Sequence, residues 1–415
     1  MRQHRVVFVV FCLSLFGSSA LFAAPKTAPA LSPEVEARIQ QLEIQLGELQ
    51  KKLEEKPAET AEKKPTSGYD GGFFIQSEDG NFKFTINGGV TLKYAVGIGQ
   101  EQNDLHTFGV TPLLILGGNA FDPNLAFSIV LAPASSALLQ GADLQYTINN
   151  HLTIGGGYNS LALDVGLLGA SSKSNQFVTA AMAAARYGTD SVGIGATGEV
   201  AKGFSYALGL QNGQGNGLSA NANNEMSYFG ELIWQLNGGV GNVAGGDLKH
   251  SDKLLMKVEA GANYSNEETS PEQRIIQVSA GGGAKYKGFN FYTQGFGMLT
   301  DPDDFTKQQE DIAFFAQAGY AVIKDKFEVA LRYSALFDDI NDAGVNYNSG
   351  FAKLLGGAGD VDGDSQDEYA YSFAMAYNFK GNGLRTVAEY TYWYDGKVGQ
   401  DTVNHLLRFN LHARF

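Results

Sequence analysis

Isolated charged side chains stand on the polar face of runs that alternate with period two. They are Lys83, Lys93, Glu231, Lys257, Glu259, Lys285, Glu328, Arg332, Arg385, Glu389 and Arg408. In a strand, successive side chains point to opposite faces, so each charge sits on one face and opposes an apolar one. If the apolar face meets lipid, a Lys or Arg placed there would cost roughly 2–4 kcal/mol at mid-membrane, which forces these groups onto the inner wall. The chemistry open to such a set is electrostatic: opposed charges on a wall orient polar solutes and tune ion preference. The competing reading is structural, with acid and base packed as pairs, such as Arg385 with Glu389.

Covalent chemistry has little support. His4 lies near the start, and His106, His151, His250, His405 and His412 show no metal-ligand spacing and accompany no nucleophile motif. An enzyme is therefore not expected, nor is a cofactor. The stretch GIGATG, Gly193 to Gly198, fits a dinucleotide fingerprint in letters. That motif needs a strand before it and a helix after it, whereas this one lies within a strand and runs into a turn and another strand. The acidic stretch Asp360 to Glu368 resembles half of a calcium loop through Asp360, Asp362 and Asp364. Ser365 stands at the sixth position instead of Gly and Tyr371 at the twelfth instead of Glu, so a loose Ca²⁺ or Mg²⁺ site competes with a solvated acidic loop.

The elements that position the charges follow from periodicity. From Gly71 onward the pattern has period two, with clean alternation at Phe204–Gln211 and Phe327–Tyr333. The chain holds 52 Gly, 19 Tyr and 27 Phe, which suits aromatic girdles and bent strands. No segment beyond the start approaches the length of a membrane-spanning helix. The fold class predicted is an all-β transmembrane barrel of about sixteen antiparallel strands, with tight turns on one rim and long loops on the other. Asn237 to Lys253 breaks that rule: it should be short and is not, so it is either an elaborated turn or a miscounted strand pair. The last strand, Leu407 to Phe415, alternates to the final residue, so it must close against the first.

Ahead of the barrel stand two further regions. Arg2 and Arg5 precede the apolar run Val6 to Phe16 and the small residues Gly17 to Ala20, the layout of a secretory leader, assigned to residues 1–23. Cys12, the only cysteine, falls inside it, so no disulfide is expected in the exported chain. Residues 24–68 hold a helix and a linker, with Ser32 as N-cap and Pro33 in the first turn. Val35, Ile39, Leu42, Leu46, Leu49 and Leu53 form a heptad seam, which predicts a short periplasmic coiled coil. The choice of dimer or trimer stays open. Residues 69–415 form the barrel.

Two stretches resemble the phosphate-selective porin O and P family. Gly71 to Tyr94, GGFFIQSEDGNFKFTINGGVTLKY, is similar to its opening hairpin and Gly-Gly strand. Asp190 to Gly217 is similar to the strand–turn–strand after its third external loop. The resemblance implies a trimeric outer-membrane porin for small hydrophilic solutes and ions, its third loop, residues 160–189 here, folded inward to narrow the pore. It places Asp164, Lys173 and Arg186 beside the lumen. The family's phosphate ligands do not carry over, because Val90 follows the Gly-Gly pair and the loop holds only two bases. The partners expected are outer-membrane lipid, lipopolysaccharide and further copies of the chain. A net charge of −14 without a basic stripe excludes a nucleic-acid role. The alternative function is an envelope tether that uses the coiled coil, with the barrel as anchor and little conduction.

Overall fold

The computed structural model describes residues 66–99, 105–158, 175–178, 192–212, 225–267, 273–302, 309–338, 368–379, 383–395 and 402–415, apart from Asp70, 135–137 and 242–244. It also describes Arg38, Gln41, Ile44, Gln45 and Glu48, which are helical and exposed. The leader, the heptad seam and the three aspartates of the acidic stretch lie outside the described residues. The chain divides into two units, Met1–Lys63 and Lys64–Phe415.

The second unit is built from strands. A short hairpin, β1 (Ser67–Tyr69) and β2 (Phe73–Gln76), precedes the wall. The wall opens with β3 (Lys83–Gly99), β4 (Leu105–Asn119), β5 (Leu125–Leu131), β6 (Leu139–Asn149), β7 (Leu152–Tyr158), β8 (Val192–Ala201) and β9 (Phe204–Asn212). It continues with β10 (Met226–Leu236), β11 (Leu255–Glu267), β12 (Gln273–Tyr286), β13 (Phe289–Pro302) and β14 (Gln309–Ile323). The remaining strands are β15 (Phe327–Asp338), β16 (Glu368–Asn378), β17 (Leu384–Asp395) and β18 (Thr402–Arg414). Each strand from β3 onward pairs antiparallel with the next, and β18 returns to β3, so sixteen of the eighteen strands form a closed barrel. Closure satisfies every ladder and leaves no edge in the membrane.

Alternation gives the wall two unlike faces. Leu92, Val110, Leu144, Ile194, Leu208, Leu232 and Leu331 are exposed on the outside, whereas Gln277, Asn290, Gln317 and Arg385 are buried on the inside. A soluble protein would show the reverse, and a barrel in lipid requires this one. Aromatic pairs mark both rims. Phe82 and Phe121 (5.3 Å between ring centroids) and Tyr377 and Phe379 (4.9 Å) lie at the short-turn rim. Tyr333 and Tyr371 (4.9 Å) and Tyr369 and Tyr394 (5.9 Å) lie toward the long-loop rim.

The seam brings the aromatic terminus against Gly88, the first glycine of the Gly-Gly pair. β18 accompanies β3 only from Gly99 down to Gly89, after which β2 takes over along Ile86 to Lys83. At the handover, Phe415 and Gly88 exchange backbone hydrogen bonds of 3.0 and 3.1 Å. A Cβ at Gly88 would stand 2.8 Å from both the Phe415 ring and the Leu113 carbonyl. Only glycine lets the terminal ring lie that close to the wall.

The long connection between β10 and β11 is an elaborated turn; no strand pair is missing there. Its residues 245–251 run along the short-turn rim. Ser251 accepts a backbone bond from Lys287, Leu248 accepts one from Asp325, and the buried Asp247 carboxylate accepts from the Ser251 and Gly288 amides. Among the described residues no helix is long and apolar enough to cross a membrane.

Candidate functional site

The inner wall does not treat its charges alike. Between Glu368 and Asn378 at its ends, the inward residues of β16 are Ala370, Ser372, Ala374 and Ala376, all small and all buried. Such a strand leaves a trough between the longer side chains of β15 and β17. Across it, Arg385 Nη2 on β17 meets Glu328 Oε1 on β15 at 2.6 Å. One layer along, Arg332 Nη2 meets Glu389 Oε1 at 3.6 Å. Glu389 also faces Arg408 directly in the register of β17 and β18. Arg385 therefore pairs with Glu328, two strands away.

A segment from elsewhere fills the trough. Residues 175–178 belong to the connection between β7 and β8, the fifth and sixth strands of the closed ring, yet they touch β13 to β17 on the opposite side. Gln176 is 1% exposed. Its amide nitrogen donates to Asn290 Oδ1 (3.0 Å) and Glu328 Oε2 (2.9 Å), and its oxygen accepts from Asn290 and Gln317 (2.9 Å each). Phe177 lies against Ala330 and Ala374, with the Arg332 guanidinium 4.3 Å from its ring centroid. The Val178 amide donates to Glu389 Oε2 at 2.6 Å. A buried aromatic of this size contributes roughly 2–3 kcal/mol by area, and a desolvated cation–π contact about 2 more.

Glycines allow this approach. A Cβ at Gly319 on β14 would overlap the Gln176 amide, and one at Gly246 would overlap both that amide and the Glu328 carboxylate. Two inward segments thus converge on Glu328, one from each rim. Between them they cover the charged groups of β15 and β17.

The remaining charges divide as follows. Lys257 and Glu259, two apart on β11, form a buried ion pair, and the Tyr292 hydroxyl donates to Glu259. Lys285 and Glu231 are buried on the inner wall. Lys83 lies near the short-turn rim with its ammonium 5.3 Å from the Phe74 ring centroid, and Lys93 is exposed to the lumen. Asp164, Lys173 and Arg186 lie outside the described residues. Among the described residues, no cluster of three or more His, Cys, Asp or Glu could hold a metal. The sequence reading missed Asn175, Gln176, Phe177 and Asn290, because neutral side chains in a loop carry no periodic signal. The alternate Ala and Ser of β16 were a legible sign that something larger must fill that face.

Comparison with known proteins supports this architecture at the level of fold. No family model and no curated protein matches the chain. Among solved structures it is similar to the anion-selective porin from Comamonas acidovorans, with 9% identity and a TM-score of 0.56 over 80% of this chain and 100% of that one. It is also similar to the outer membrane channel DcaP of Acinetobacter baumannii, at 12% identity and 0.55 over 82% and 99%. A third is the outer-membrane expressed OmpT of Vibrio cholerae, at 13% identity and 0.53 over 81% and 98%. With its closed ring, polar lumen and inward segment, the chain has the fold of a sixteen-stranded outer-membrane porin.

Proposed function

We propose that the chain is an outer-membrane porin that passes small hydrophilic solutes and ions by passive diffusion, narrowed by its third loop, residues 160–189. The observation that carries this reading is a closed barrel with a polar inner wall, across which residues 175–178 are held against the far side. A ring of this strand number encloses more space than its own side chains fill. Similar barrels include proteins described as a porin and as a channel. No catalytic step is assigned to any residue.

The working form is a trimer in lipid and lipopolysaccharide. β5 and β7 have 7 residues each, fewer than the roughly 9–11 that a lone strand needs to cross lipid. Short strands suit a face covered by neighbouring copies. Residues 1–23 are removed as a leader, and residues 24–68 supply the coiled coil and linker in the periplasm.

The test is conductance of refolded protein in a planar bilayer. Discrete current steps are expected. A folded barrel that passes no current would overturn the porin reading and favour the tether, which loss of envelope attachment on coiled-coil deletion would then check.

A further inference from the structure

We propose that solutes pass along the half of the lumen formed by β4 to β9, and that Asp143 sets the ion preference of that path toward cations. The inference rests on the porin reading and identifies where in the lumen it operates.

The inner face of β15 to β17 is covered. Glu328, Arg332, Arg385 and Glu389 are buried in ion pairs beneath Gln176 and Phe177, and groups so neutralised and desolvated offer a passing ion little field. The opposite inner face is built differently. Across β7, β8 and β9 the register sets Gly155, Gly195 and Gly209 in one row and Gly157 beside Gly193 in the next. With no side chains of their own, these positions leave the wall low. The side chains of Gln145, Gln211 and Phe229 lean over the glycines, since a Cβ at Gly155, Gly193 or Gly209 would press against them. Most of the result is an amide- and hydroxyl-lined floor that stays half-exposed, with Ser128, Thr153, Thr197 and Ser205 among it.

Asp143 stands in the middle of that floor. It lies opposite Ser128 on one side and Gly157 on the other, with Ser128 and Gln145 as side-chain hydrogen-bond partners. Among the described residues of β4 to β9 it is the only charged group on the inner face apart from Glu199, which sits at the short-turn rim bonded to the Gly203 amide (2.6 Å). A half-exposed carboxylate on a wall of glycines and amides dominates the local potential. Rings or single groups of acid in a pore favour cations.

The experiment uses the full chain, with Cys12→Ser, in planar bilayers under a KCl gradient. Wild-type conductance comes first: its absence defeats the porin reading itself, separately from the path. Given conductance, Ser128→Cys and Thr197→Cys are compared with Ser334→Cys and Ser372→Cys, each exposed to a cationic methanethiosulfonate. Heat-modifiable gel migration checks that every variant is folded. Current should fall stepwise for the first two variants and stay constant for the second two. Comparable block at Ser372→Cys would overturn the path. For selectivity, Asp143→Asn should move the reversal potential toward that of chloride, and Asp143→Glu should restore it. An unchanged reversal potential in Asp143→Asn would overturn the role assigned to Asp143.

Discussion

The two halves of the barrel wall obey the same alternation and reach opposite ends. On β4 to β9 the inward positions are mostly Gly, Ser, Thr and Gln, and most stay half-exposed. On β13, β15 and β17 most inward positions are larger or charged, those of β16 between its ends are small, and all of these are buried. The difference lies in what docks on them. One half faces its own lumen, and the other is covered by a segment that starts across the ring. A charge on the inner wall therefore does not imply a charge felt by a solute. The neighbours decide that.

The heaviest blow to this contrast should come from Glu328. Removing it takes an ion-pair partner from Arg385, which is 0% exposed, and an acceptor from Gln176. Breaking one partner of a buried pair costs about 3–5 kcal/mol, so Glu328→Ala should lower the denaturant midpoint of the refolded barrel markedly. Replacing both partners with apolar residues, Glu328→Leu with Arg385→Met, should recover much of the loss. If the single variant matches the wild type, the pair is not buried in solution.

Next in size is Phe177. Truncating a buried aromatic costs about 3–5 kcal/mol where the site cannot collapse, and the small residues of β16 leave nothing to refill the trough. Phe177→Ala should release the segment without unfolding the ring. The expected signature is larger, noisier single-channel current from a barrel that still folds but has a lowered thermal midpoint. Smaller again is Ala374→Leu, which fills the trough from the other side. Overpacking of this kind costs roughly 1–3 kcal/mol, and its current should resemble that of Phe177→Ala if both act by undocking residues 175–178. Quiet, wild-type current from both variants would show that the docked segment does not bound the path.

Much of the wall was legible in the sequence because lipid imposes a strict period of two. The starts of β5, β7, β9, β10, β13 and β17 follow directly from where alternation resumes after a turn. The inward direction of Glu328 and Arg385 follows for the same reason. Their partnership does not, because it spans an intervening strand and depends on Ala374 and Ala376 being small enough to reach over. Gln176 and Phe177 were invisible: a loop residue that docks across a lumen obeys no periodicity. The irregular stretch from Asn237 to Lys253 carried a usable signal, since a rim of tight turns tolerates one long connection only when it has somewhere to go.

The smallest expected effect, that of Thr197→Lys, gives the sharpest comparison of the halves when it is set against Ser372→Lys. Ser372 on β16 is 5% exposed and its hydroxyl lies 2.9 Å from that of Thr391, whereas Thr197 on β8 is half-exposed and faces the amide-lined side. Both point inward, so alternation alone gives them equal tolerance. Ser372→Lys buries an ammonium among Arg332 and Arg385 with their acids already engaged, which costs several kcal/mol per ion even after relaxation. Thr197→Lys keeps its charge in water, and a surface-like substitution of that kind shifts stability by no more than about 0.5 kcal/mol. Paired denaturation curves measure the gap directly. Near-equal midpoints would mean that the two walls are equally wet. A large gap, with cation current lowered by Thr197→Lys alone, would mean that the barrel conducts on one side and is braced on the other.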